Sequence, residues 1–106
     1  MLALKVIIIK FISSDQPGFV ECQFIDAWNK KHVVQDKVPI VTDKYLDANS
    51  EYPQNGFIAC QLLRESKDAG GRTIFAITTA KPWGVDTVEG LTEFDLTSEQ
   101  LTVIQQ

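Results

Sequence analysis

The chain of 106 residues carries 14 acidic and 10 basic side chains, a net charge of −4, with 44% apolar and 23% charged residues, the composition of one globular domain spanning 1–106. That length buries roughly two thirds of the unfolded surface and needs no disulfide or metal to hold a core. The acidic balance excludes nonspecific binding along nucleic-acid backbones, which requires a Lys and Arg surface; it suits a cytoplasmic protein, or one whose partner is basic.

Met1–Ile12 is apolar, interrupted by Lys5 and Lys10. A secretion signal would place charge ahead of an unbroken apolar run and end on small residues, and a membrane span needs about 20 apolar residues. Neither pattern is met. β-Branched residues dominate, so the run predicts a first strand buried on much of both faces. Ser13–Gly18 reads as a turn. Phe19–Ala27 predicts a second strand, with Val20, Cys22 and Phe24 on one face and Glu21, Gln23 and Ile25 on the other. After a turn at Trp28–Lys31, His32–Thr42 predicts a third strand with Val34, Val38 and Ile40 on one face. Pro39 cannot donate to a ladder, so it marks an edge or a bulge. Asp43–Asn55 is a long polar connection in which Thr42 or Asp43 would cap one helical turn. A loop of that length is often functional or closes a barrel end.

Phe57–Glu65 and Arg72–Thr79 predict the fourth and fifth strands, joined by a turn over Ser66–Gly71. Ala80–Gly90 is a second long connection, and Leu91–Leu96 a sixth strand with Phe94 and Leu96 inward. Thr97 and Gln100 have capping-box spacing. A short helix carrying Leu101 and Ile104 could follow, and a final strand fits the same residues. Gly18–Ile25, Gly-Phe-Val-Glu-Cys-Gln-Phe-Ile, is echoed at Gly56–Leu63, Gly-Phe-Ile-Ala-Cys-Gln-Leu-Leu. Each copy follows a turn signal and reads as the first arm of a hairpin. The fold class predicted is all-β, or β-rich α+β: an antiparallel meander of about six strands, barrel-like or a curled sheet.

No catalytic motif is present, and the chain is read as a non-enzyme. Cys22 and Cys60 occupy matching positions of the repeat, where their sulfurs could approach if the strands were neighbours. Without a cation beside either, they read as small core hydrophobes. With one histidine they also lack ligand spacing, so no metal or cofactor is predicted. His32 has no base or orienting partner in the pattern and reads as a structural or surface residue. Asp36 falls on the parity of Val34, Val38 and Ile40. Either it is a carboxylate in an apolar pocket, the site of a small-molecule barrel or weak enzyme, or a bulge at Pro39 turns it outward.

The most pronounced surface feature is acidic and aromatic. From Pro82 onward the acids Asp86, Glu89, Glu93, Asp95 and Glu99 meet no Lys or Arg. The first long connection adds Asp43, Asp47 and Glu51. Tyr45 and Tyr52 lie in one loop, and Trp83 in the other. Aromatics among acids on long loops are the composition of an interface for a basic partner. The candidate contact residues are therefore Tyr45, Tyr52, Trp83, Asp86, Glu89, Glu93 and Asp95.

Asp36–Val41, Tyr52-Pro53-Gln54 with Gly56–Cys60, Pro82–Asp86 and Glu89-Gly90 together resemble a group of small bacterial proteins, the immunity proteins of contact-dependent growth inhibition and related polymorphic toxin systems. The resemblance covers most of the chain through structural turns and strands. It implies a cytoplasmic protein that binds and blocks one cognate toxin domain; the sequence leaves the oligomeric state open, with a monomer favoured. Toxins of such systems are often nucleases with basic clefts, which an acidic inhibitor would complement. Contact residues vary within such a group, so the candidates above rest on charge and loop position alone. No direct nucleic-acid or membrane partner is implied.

Overall fold

Strand β1, Leu2–Ser13, organises the chain because partners take both of its edges. The computed structural model, which describes residues 1–15 and 17–105, places β2 (Phe19–Ile25) and β4 (Gln54–Ala59) antiparallel on its two sides. Ile7 faces Gln23 across one edge and Asn55 across the other. β3 (Lys31–Lys37) pairs with β2. The C-terminal β8 (Leu101–Val103) takes Leu2–Leu4, on the edge that β2 leaves open. A second, three-stranded sheet holds β5 (Gln61–Lys67), β6 (Thr73–Thr78) and β7 (Glu93–Leu96). Within the turn expected over Ser13–Gly18, Gln16 lies outside the described residues.

The antiparallel β class expected from the sequence is what the structure shows, with eight strands in two sheets among the described residues. The larger number has two physical sources. Cys60 interrupts the run expected as one strand, Phe57–Glu65: its amide bonds to Leu2 O at 3.0 Å, and the chain then bends out of the first sheet into the second. The C-terminal segment adds the other strand. Thr97 and Gln100 do form a capping box, but around a single 3-10 turn, Ser98–Gln100, before β8. No helix among the described residues is long and apolar enough to cross a membrane.

The expected third strand is also shorter, ending at Lys37. Val38–Val41 forms one helical turn, α1. Pro39 sits in its first turn, where a missing N–H costs nothing and the fixed φ suits the helix. Neither an edge nor a bulge is needed. Thr42 acts after this turn rather than before a later one, its hydroxyl accepting the Lys44 N–H at 3.2 Å.

Alternation decides what is buried. Leu4, Val6 and Ile8 of β1 point inward with Val20, Cys22 and Phe24 of β2, Val34 of β3 and Ile58 of β4. Ile77, Phe94 and Leu96 join them from the second sheet. Each such side chain contributes roughly 1.5–3 kcal/mol when fully buried. The outward face of β1 is less covered than its sequence suggests: Lys5 and Lys10 are exposed, and Ile7 is 40% exposed. β2 and β4 flank β1 on opposite edges. Cys22 is opposite Ile8, whereas Cys60 lies beside Leu2. About 20 Å of strand separates those two levels, so the thiols do not approach each other. Burial pushes Cys22 up to about 12, aided by the charges of Asp36 and Glu21, and Cys60 to about 11.

Candidate functional site

The candidate residues fall at two places. Tyr45 and Trp83 stand on either side of α1. Tyr45, 85% exposed, lines a concavity of about 690 Å³ with Phe11, Pro17, Val38 and Pro39. Trp83, 58% exposed, lines one of about 430 Å³ with Ile40, Phe57 and Ile104. Pro39 borders both, so α1 forms a ridge between two apolar hollows, each carrying one projecting aromatic.

The loops that carry these rings are braced. In the first, Asp47 accepts the Asn49 N–H at 2.9 Å and its own N–H donates to Ser50 Oγ at 3.0 Å. Leu46 is buried beneath. In the second, the Thr79 hydroxyl donates to Val85 O at 2.7 Å and the Val85 N–H returns to Thr79 O at 2.9 Å. Val85 and Thr87 are buried, which turns Asp86 outward between them, and Glu89 is exposed in the turn that follows. The Val88 N–H donates to Val33 O at 2.9 Å, so this loop covers part of β3's outer edge. Tyr52 is turned inward. It packs on the core, its hydroxyl donates to Asp47 O at 2.8 Å, and burial raises its pKa. Its ring fastens the loop and is not offered to a partner.

Glu93 and Asp95 sit elsewhere, beside the turn between β2 and β3. The sequence shows no cation near them, but the fold brings Lys30 and Arg64 into the same concavity of about 300 Å³. Asp95 Oδ2 accepts the Trp28 indole N–H at 2.9 Å. Arg72 lies 5.5 Å from the Trp28 ring centroid, held by Asp68 at 3.0 Å and by Ala27 O at 2.9 Å. The acids here belong to a mixed-charge cluster, so the cation-free acidic run from Pro82 does not form one acidic face; Asp86 and Glu89 are exposed apart from it, on a connection that also exposes Lys81.

This corner also holds a pair that the sequence reading did not propose. Asp26 Oδ2 lies 2.8 Å from His32 Nε2, with both side chains nearly enclosed. Asp26 Oδ1 accepts the N–H groups of Trp28 and Lys30 at 2.8 and 3.0 Å. Burial alone would raise the Asp26 pKa; the bonds from His32, Lys30 and Trp28 outweigh it, and the net shift is downward. An ionised carboxylate only accepts, so His32 Nε2 carries the proton. Nδ1 is buried with no hydrogen-bond partner, in a ring stacked at 5.0 Å on Phe24 and edge-on to Phe94 at 4.9 Å. His32 is therefore buried, and it has in Asp26 the partner that the sequence pattern does not show.

Asp36 is half-buried at the end of β3, and its carboxylate accepts the Lys37 N–H at 2.7 Å. It lines none of the concavities above, and the sheets do not close into a barrel around it. Among the described residues no three His, Cys, Asp or Glu side chains gather as a metal site. Comparison with protein-family models, with curated proteins and with solved structures finds no match to this chain.

Proposed function

We propose that the chain is an inhibitory binding protein of the immunity type, which engages one basic toxin domain through the α1 end of the molecule. The observation that carries this reading is the pair of exposed aromatics, Tyr45 and Trp83, on braced loops beside two apolar hollows. Tyr and Trp dominate binding hot spots, and a side chain already held by its loop loses less entropy on binding. Asp43, Asp86 and Glu89 are exposed on the same two loops and would steer a basic partner at low salt. Such a protein would act in the cytoplasm, on a toxin whose basic cleft binds nucleic acid.

The test is titration calorimetry against the protein domain encoded immediately upstream, at two salt concentrations, beside a toxicity or nuclease assay. One-to-one binding that weakens with salt and abolishes the activity is expected. Trp83→Ala should weaken it by about 2 kcal/mol or more, roughly thirtyfold, with unchanged thermal stability because the ring is largely outside the core. No binding, or binding indifferent to Tyr45→Ala and Trp83→Ala alike, would refute the proposal.

A further inference from the structure

Every residue of β5, Gln61–Lys67, is exposed, including Leu62 and Leu63 at 49% and 46%. β6 occupies one edge of this strand. The other edge has no backbone partner among the described residues. A bare strand edge is a template for another strand, and the charges on this one select which strand.

From Arg64 the sequence reads Arg-Glu-Ser-Lys-Asp. Stepping outward from Ser66, each position meets the opposite sign on the other side. Two copies of β5 paired antiparallel about Ser66 would set Glu65 against Lys67 of the second copy, and Lys67 against its Glu65. Directly opposite residues must share a face. Glu65 and Lys67 do: they face Phe75 and Thr73 of β6, two positions apart on one strand. Neighbouring registers lose this match. Centring on Glu65 opposes two carboxylates, and centring on Arg64 opposes two guanidinium groups.

We propose that β5 is a self-association edge, on which two copies of this chain pair antiparallel about Ser66 and join their three-stranded sheets into one. Asp68 already holds Arg72 at 3.0 Å, so the Glu65–Lys67 pairs carry the recognition. Neither has an ion-pair partner in its own chain among the described residues, and Lys67 Nζ is lent only to Thr73 Oγ1 at 2.9 Å. Leu62 and Leu63 would lie alongside Ala69 and Gly70 of the second copy, small residues that leave room for both. An overlap this short gives a weak dimer that forms with concentration. β5 contributes nothing to the hollows around Tyr45 and Trp83, so the proposal stands apart from toxin binding.

Sedimentation velocity from micromolar to millimolar chain, at low and high salt, reads the dimer directly. The dimer fraction should rise with concentration and fall with salt. Glu65→Lys and Lys67→Glu should each raise the dissociation constant about tenfold or more, since both cross-strand pairs become repulsive. Mixing the two variants should restore a heterodimer, because each then meets its opposite charges, and the double swap should dimerise like the wild type. Ser66→Cys should cross-link under mild oxidation while the buried native thiols stay silent. A wild type that remains monomeric throughout overturns the proposal and leaves the edge to a strand of another protein. Single variants that dimerise normally, or a mixture that gains nothing, overturn the Ser66 register.

Discussion

Replacing Asp26 by Ala should loosen the corner where the two sheets meet, and the structure sets the cost. Its carboxylate is the acceptor for three donors: the Trp28 and Lys30 N–H groups and His32 Nε2, at 2.8, 3.0 and 2.8 Å. The side chain is 9% exposed and His32 3%, so water cannot replace it freely. An orphaned buried donor costs about 1–3 kcal/mol. The two backbone donors are only partly buried, and the histidine is almost wholly so. The expected loss is about 3–5 kcal/mol, in the range seen when one partner of a buried pair is removed. For a domain of this size that lowers the melting temperature by roughly 15–30 °C. Asp26→Asn keeps one acceptor oxygen and should cost about half as much. His32→Phe fills the slot between Phe24 and Phe94, and combined with Asp26→Asn it should cost clearly less than the sum of the two singles. Urea unfolding followed by Trp fluorescence measures the wild type and all four variants. A loss below about 1 kcal/mol for Asp26→Ala, or strict additivity in the cycle, would show that the pair does not hold the corner.

Acid should destabilise the fold through the same group and through Asp68, whose carboxyl the Arg72 N–H and guanidinium hold below its ordinary value. Both folded pKa values are depressed. Their stability is therefore fully present above the unfolded value near 3.9 and is lost as pH falls through the folded values. Urea midpoints should be level around neutrality and drop below about pH 4, less steeply in Asp26→Asn; a pH-independent midpoint would contradict this. Cys22 and Cys60, raised to about 12 and about 11, should resist a thiol reagent at neutral pH and react at once in denaturant. Stoichiometric labelling of the native protein would count against their burial. Gly56→Ala should cost about 1–3 kcal/mol by overpacking, because the new methyl would meet Val41 O at 2.7 Å and Ile8 at 2.9 Å. A melting temperature at or above that of the wild type would show that α1 yields freely.

The strands that alternate cleanly were legible as sequence: β2 with Val20, Cys22 and Phe24 inward, and β7 with Phe94 and Leu96 inward. The capping box was legible too, because Thr97 and Gln100 interact locally. Two features were not. The apolar run Phe57–Cys60 carries no turn residue before Gln61, so nothing in the pattern marks the bend between sheets; the repeat of Gly18–Ile25 hides it by suggesting a straight arm. Val-Pro-Ile-Val is β-branched in three of four places, and only its position over the core makes a helical turn of it. At the site, Tyr45 and Trp83 could be placed on loops from composition, but Tyr52 could not be told apart from them. Its inward turn depends on Asp47 O, a backbone acceptor that composition does not display. The sequence run from Pro82 lacks cations, yet Lys30 and Arg64 arrive beside Glu93 and Asp95 from other hairpins. Asp26 and His32 were a readable pair in hindsight: they flank one tight turn, where strands converge.

The pairing of β1 with β8 has a temporal consequence. Met1 and Ile104 exchange backbone bonds at 3.0 and 2.8 Å across 103 positions. Closing a loop of that length costs about 4 kcal/mol of chain entropy beyond the fixed term, so this seam cannot lead. The β2–β3 and β5–β6 hairpins close over a few residues and can form first. β1 waits with one edge half-dressed until Leu101–Val103 arrives, and a nascent chain carries that gap until those three residues are free to pair. In the finished protein the same three rungs are the first to part, which makes the β8 amides the early reporters of any approach to unfolding by hydrogen exchange.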